Sequence, residues 1–407
     1  YPKAVSSYIL RNDTNRSQKS EVRSQEEGSS SLLTPKFTDV TAQVAPALQN
    51  LGLACDALWT DYDNDGWTDL LIAGEWMPLT LFKNQKGKFD ILHVPDLDAK
   101  KGFWNSLTGA DFDHDGDIDY IAGNLGLNAL TKASNEYPMS ILAGDFNQDG
   151  SYDAIPFVYF PDVNNTPLRV PFHGREDLIK QFIQTRARFQ KYTDFANATY
   201  DNLLKEDERK KAIQFDINYC ASVYIENTGN GTFKTKPLPA LAQFAPINGM
   251  FADDFDKDGH IDVLLIANDF GNETSSGRYD ASNGLFLKGN GKGEFIPLTQ
   301  AKTGFYVPGN AKGLAQLVNS TGRRVIIATQ NRAALKVFGQ TTSHLKWISL
   351  HPNDAYALIK TKDGKTYRQE LYYGASFLSQ SVRKLPLTGQ ETSVEIIDFQ
   401  GKKRKAN

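Results

Sequence analysis

A nine-residue acidic turn returns four times along the chain, each time beside apolar runs of strand length, and this repeat constrains the fold more than any other feature. Its pattern is Asp-x-Asp/Asn-x-Asp-Gly-x-x-Asp. The copies occupy residues 61–69, 111–119, 145–153 and 254–262. Apolar runs such as 70–73, 120–122 and 263–267 follow at once. A fifth copy at 317–325 keeps Asn319, Thr321 and Gly322 but has Leu317 and Val325 at its outer positions. Units continue with a third strand ending near Asn84, Asn227 or Lys288, then a Gly-rich turn, then a fourth strand holding Phe89, Phe233 or Phe295. Four short strands per unit with Gly/Asn turns are a blade signature, and a blade cannot bury both faces alone.

The expected class is therefore all-β, a β-propeller of six to seven four-stranded blades with a helical insertion in one blade. Residues 1–340 form the propeller on this reading. The insertion is placed at about 161–218, in the blade of the third acidic loop, with helices over 176–194 and 200–213 from apolar spacing at Leu178, Phe182, Phe189 and Tyr192. Its apolar stripe reads as a strut packed on the propeller or as a lid beside a ligand. Residues 7–12 and 37–41 read as half a blade, with 13–35 a polar loop between them and the missing strands supplied by the C-terminal segment 341–407. Tyr1 does not begin a charged-then-apolar leader, which fits a mature or trimmed piece of a longer protein.

The spacing of the acids explains their chemistry. Calcium takes six to eight hard oxygens in flexible geometry. Side chains at loop positions 1, 3 and 5 converge, the position-7 carbonyl adds an oxygen, and the position-9 carboxylate closes the shell. The expected ligand sets are Asp61, Asp63, Asp65, Trp67 and Asp69; Asp111, Asp113, Asp115, Asp117 and Asp119; Asp145, Asn147, Asp149, Ser151 and Asp153; and Asp254, Asp256, Asp258, His260 and Asp262. About four structural Ca²⁺ ions follow. Like charges this close repel unless a cation joins them. The third loop, with Asn147, should bind most weakly and the fifth should bind nothing. An EF-hand is excluded, because position 12 holds Ile72, Ala122, Pro156 and Leu265 instead of Glu and no helices flank the loops.

At these loops the sequence resembles the FG-GAP/VCBS repeat proteins, among them the integrin α-subunit propeller. Asn268-Asp269-Phe270-Gly271-Asn272 shares the likeness. The tail resembles the ASPIC/UnbV segment of the cartilage acidic protein type. It matches through Lys360-Thr361-Lys362-Asp363-Gly364-Lys365 and Tyr373-Gly374-Ala375-Ser376-Phe377-Leu378-Ser379-Gln380-Ser381. Gly74-Glu75-Trp76-Met77-Pro78 is similar to segments of bacterial cell-surface repeat proteins. The resemblance implies a calcium propeller outside the cytoplasm: extracellular, cell-surface or periplasmic. It does not supply a ligand.

Loops joining strands two and three should converge on the face opposite the acidic loops. They carry Glu75, Trp76, Asn124, Asn128, Asp269, Asn272, Arg278, Asn331 and Arg332. Two readings stand: a ligand face, or residues that satisfy one another and cap the central tunnel. The favoured function is a non-catalytic, calcium-stabilised surface propeller binding a glycan or a protein. The alternative is a carbohydrate-active enzyme, a polysaccharide lyase or glycoside hydrolase, with Glu75 and Asp269 as its carboxylates. A structural module of a longer surface protein is a third possibility. His173 stands in a catalytic-looking stretch, although a helix-entry turn accounts for it equally well. The net charge of −3 and the absence of a basic stripe argue against nucleic acid, and no apolar run is long enough to span a bilayer. Cys55 and Cys220 read as buried free thiols, with a disulfide left open.

Overall fold

The chain, seen in a computed structural model, is described over residues 6–13, 36–272, 276–340, 345–362, 364–374 and 376–406. It is mostly β, with 43% strand against 13% helix, which places it in the all-β class. Four antiparallel sheets carry all copies of the repeat but the third. Sheet one holds β3 (Leu53–Thr60), β4 (Asp69–Pro78), β5 (Thr80–Asn84) and β6 (Phe89–Leu92), with β7 (Lys101–Phe103) pairing the far end of β4. Sheet two joins β8 (Ser106–Ala110) and β9 (Asp119–Gly123) to β14 (Val223–Asn227) and β15 (Phe233–Pro237). Sheet three runs β16 (Ile247–Asp253), β17 (Asp262–Ala267), β18 (Leu285–Gly289) and β19 (Phe295–Leu298). Sheet four has three strands, β20 (Ala311–Val318), β21 (Arg324–Gln330) and β22 (Lys336–Gly339).

Apolar runs replace strict alternation in the second strands because both faces are buried. In β9, Tyr120 and Ala122 face the core shared with sheet one, while Ile121 faces the core shared with sheet three. In β17, Val263 and Leu265 face sheet two, and Leu264 and Ile266 face sheet four. Burial of each such Leu or Ile contributes roughly 1.5–3 kcal/mol. The first strands stand beside one another in series, β3 against β8, β8 against β16 and β16 against β20.

Strand order departs from expectation in the middle of the chain. β14 pairs with β9, so residues 223–237 complete sheet two and not a blade built on the third acidic loop. That loop belongs to a separate sheet made of β10 (Met139–Gly144), β11 (Asp153–Pro161), β12 (Pro167–Pro171) and β13 (Ile213–Ile217). The insertion is thus wider than 161–218: it fills the whole interval between β9 and β14.

Its helices are shorter than periodicity suggests. Arg175–Gln181, Gln184–Arg188 and Tyr192–Phe195 replace one helix, and Tyr200–Leu203 and Glu206–Lys211 replace the other. Phe182 and Phe189 leave helical geometry at φ −127° and −129° and are buried in one core with Leu142, Ile155 and Phe157. Burying both rings costs the helix its continuity. Leu178, Phe182 and Phe189 of the apolar stripe therefore pack on the inserted sheet, while Tyr192 is exposed.

The N-terminal strands β1 (Leu10–Asn12) and β2 (Phe37–Asp39) pair with each other, and among the described residues no C-terminal strand joins them. The polar stretch expected over 13–35 lies, from residue 14, outside the described residues, as do Asp363 and Ala375 of the tail. The C-terminal strands make their own sheets: β23 (Lys346–Ser349) with β26 (Lys384–Leu387), and β24 (Asp354–Thr361) with β25 (Thr366–Glu370), β27 (Glu391–Asp398) and β28 (Lys403–Ala406). This segment bonds to both ends of the series. The Asp61 amide donates to Glu370, while the Leu314 and Gln316 amides donate to the hydroxyls of Ser376 and Ser381. Both cysteines are free; Cys220 is buried as expected, but Cys55 is exposed on β3. Among the described residues no helix is long and apolar enough to cross a membrane.

Candidate metal centres

Each acidic loop closes on the same local geometry. Position 6 is glycine at positive φ, from 86° to 96° at Gly66, Gly116, Gly150 and Gly259. Its amide donates to the position-1 carboxylate, at 3.1 Å for Asp61, 3.2 Å for Asp111, 3.0 Å for Asp145 and 3.1 Å for Asp254. Position 4 is also left-handed, at Asn64, His114, Gln148 and Lys257. Sequence reading misses this second turn because four different side chains occupy it.

The position-9 aspartate does more than close a shell. One oxygen accepts the position-2 amide of its own loop, from Tyr62, Phe112, Phe146 or Phe255. The other accepts a third-strand amide: Asn84 at 2.7 Å to Asp69, Asn227 at 2.8 Å to Asp119 and Gly289 at 3.0 Å to Asp262. Tyr224 also donates its hydroxyl to Asp119, at 2.8 Å. These carboxylates fasten each loop to its sheet.

Three loops bring carboxylate oxygens together within 4.8 Å: Asp61, Asp63 and Asp69; Asp111, Asp113 and Asp115; and Asp254, Asp256 and Asp262. Buried oxygens of Asp61, Asp63 and Asp111 have no hydrogen-bond partner, which costs roughly 1–3 kcal/mol apiece unless something else pairs them. Burial, reinforced by neighbouring carboxylates, pushes Asp69, Asp111 and Asp262 up to about 7 and Asp119 to about 8. A hard divalent cation would answer both facts, for it supplies a partner and favours the charged form. The donor set fits such an ion.

The loops are not equivalent, and here the structure adds what spacing does not carry. The Lys83 ammonium contacts Asp63 and lies 3.0 Å from Asp65. Lys288 contacts Asp256 and lies 2.7 Å from Asp258. Asp256 and Asp258 hold the Lys288 ammonium above the usual lysine range. At the matching third-strand position sheet two has Glu226 in place of a lysine, and Glu226 itself pairs with Lys236 at 2.8 Å. Arg368, from the C-terminal segment, donates to Asp61 at 2.8 Å. In the inserted sheet, Asn147 donates its side-chain amide to Asp149, and the exposed Asp145 accepts the Asp149 amide; this loop is not among the convergent clusters. In the fifth loop Asn319 accepts amides from Thr321 and Arg323, and Arg324 forms a buried pair with Asp253 at 2.7 Å.

Residues 61–122 match the FG-GAP-like repeat family. The matched span runs from the first acidic loop to the end of β9, so this FG-GAP-like repeat holds two of the three convergent clusters. No curated protein matches the chain.

The opposite-face candidates divide. Asn124 is fully buried; its carbonyl accepts from Phe103 and Leu125, and its amide donates to Tyr219. Asn128 donates to Phe244. These two cap backbone. Trp76, at φ 60°, stacks edge-on against Phe103 at 5.2 Å, and Arg278 lies over Phe270 at 5.1 Å. Asp269 pairs through its backbone with Tyr279 and lies 3.8 Å from Lys312. Asn272 has a buried side-chain nitrogen with no hydrogen-bond partner. Asn331 donates its amide to Asn310 while its side chain, like that of Arg332, is exposed. Burial and the charge of Asp269 raise Glu75. His173 contacts Gln181 in the turn before Arg175–Gln181, the helix-entry reading.

Proposed function

We propose that the chain is a calcium-stabilised β-propeller, with VCBS-type repeats and an ASPIC/UnbV-like tail, that works outside the cytoplasm as a non-catalytic scaffold binding a glycan or protein partner. The observation that carries the metal half is the convergence of carboxylates at three loops, five of the nine residues buried, with oxygens of Asp61, Asp63 and Asp111 left without a hydrogen-bond partner. An ion held there stabilises the fold, since binding free energy becomes folding free energy. The neighbouring first strands, β3 to β20, support a radial arrangement of sheets.

The test is thermal unfolding in excess Ca²⁺ and in chelator, with metal content measured on the same samples. The melting temperature should fall in chelator. An unchanged melting temperature with no metal retained refutes the reading.

One observation favours a second reading. Glu75 is raised by burial and by the charge of Asp269, and glycoside hydrolysis uses a carboxylic acid raised in this way. New reducing or unsaturated ends released from a polysaccharide, and lost with Glu75→Gln, would establish it in place of the first.

A further inference from the structure

Between sheet one and the C-terminal segment lies a cavity of about 410 Å³, within the roughly 300–1,000 Å³ of small-ligand sites. It opens on the side of the acidic loops, since Asp61, Gly66 and Thr68 line it. Trp59, Tyr356 and Phe399 give it aromatic walls. Trp59 and Phe399 are 44% and 52% exposed, although large rings of this kind are ordinarily covered.

Its polar floor is unfinished. Arg368 and Glu370 sit two residues apart on β25 and therefore share a face of the strand. Both side chains are more than nine-tenths buried, at 8% and 6% exposure. Arg368 spends one nitrogen on Asp61 and another on Asn64, and lies 3.8 Å over the Tyr356 ring. Its Nε has no hydrogen-bond partner, and neither has Oε2 of Glu370, although the hydroxyls of Tyr372 and Thr60 lie beside that carboxylate. A spare donor and a spare acceptor thus stand side by side under an aromatic rim.

That combination selects a ligand class. An anion meets Asp61, Glu370 and Asp398 against a single guanidinium. An ammonium satisfies Glu370 but faces Arg368. A vicinal diol supplies both a donor and an acceptor at once, and a sugar ring carries it beside an apolar C–H face suited to aromatic walls. We propose that this cavity binds a neutral hexose unit of a glycan. One hydroxyl of a vicinal pair accepts from Arg368 Nε, its neighbour donates to Glu370 Oε2, and the ring face lies on Trp59 or Phe399. The inference rests on the glycan half of the function proposed above, but it moves the site from the face of Glu75 to the side of the acidic loops.

The experiment is calorimetric titration of the full chain, in saturating Ca²⁺, with methyl glycosides of glucose, galactose and mannose. At least one should bind. Phe399→Ala and Glu370→Gln should each weaken it by about tenfold or more, while Tyr306→Ala, an exposed ring elsewhere, should leave it unchanged. Melting temperatures of all variants serve as the check on folding, and Phe399→Ala, on an exposed ring, should keep that of the parent. Tighter binding of glucosamine, of a uronic acid or of a lysine-bearing peptide than of every neutral sugar would overturn the proposal. Sugar binding that survives Phe399→Ala but is lost with Glu75→Gln would overturn the cavity and leave the glycan reading standing. No binding of any neutral glycan, here or on an array, would overturn both.

Discussion

Replacing Lys288 by methionine should move stability in opposite directions depending on calcium. Its ammonium contacts Asp256 and lies 2.7 Å from Asp258, two carboxylates of the loop at 254–262. These groups are about one-third exposed, so each pair is worth roughly 0.2–1 kcal/mol and not the full Coulomb value. An ion entering the loop must break both, a cost of about 0.4–2 kcal/mol. Lys288→Met removes that cost and should tighten the calcium affinity of this loop about tenfold. In chelator the same change strips Asp256 and Asp258 of the Lys288 counter-charge, and the clustered acids then repel. The assay is calorimetric unfolding in chelator and in excess calcium, with a calcium titration of each protein. The variant should melt below the parent in chelator and above it in calcium. A shift of the same sign in both conditions, or an unchanged affinity, would refute the idea that the lysine competes with an ion. Lys83→Met should behave alike. The loop at 111–119, where Glu226 and not a lysine stands at that third-strand position, should be the tightest of the set.

Two further outcomes are expected. Arg324→Met leaves Asp253 buried and unpaired, which should cost about 3–5 kcal/mol in urea unfolding, and adding Asp253→Leu should recover most of it; equal losses in the single and double variants would count against the pairing. Burial pushes Asp56 up to about 6 from 3.8, so its ionisation opposes folding above pH 6 and that penalty fades as pH falls below it. Between pH 5 and 7.5 the parent should therefore lose about 1.4 kcal/mol relative to Asp56→Asn, one decade of proton affinity, and parallel denaturation curves across that range would contradict the assignment.

How much was legible in the sequence follows the range of each interaction. The acidic loops, their glycine and their flanking strands are readable because every constraint falls within nine residues. The left-handed fourth position is equally local, but Asn64, His114, Gln148 and Lys257 share no chemistry that marks it. The insertion misled for a different reason. Residues 223–227 look like any third strand, and alternation of side chains says which face is buried, not which neighbour covers it. Sheet two claims them over a gap of about a hundred residues, since loop-closure entropy grows slowly with length and a central strand satisfies two ladders at once. Helix periodicity across 176–194 failed where Phe182 and Phe189 had to turn inward. Asn124 and Asn128 looked like ligand groups, but backbone needed them first: Asn124 caps buried chain, and Asn128 an exposed carbonyl of Phe244.

From the chain alone came the class of structure, the acid-lined turns and the chemistry of ion they suit, because carboxylate spacing is set by bond geometry a few residues long. Only tertiary structure brought Lys83, Lys288 and Arg368 onto those acids, sorted three convergent clusters from one that is not, and set Glu370 beneath an aromatic rim. Charge acts through space, and which distant cation reaches a given carboxylate is decided by how the sheets stack.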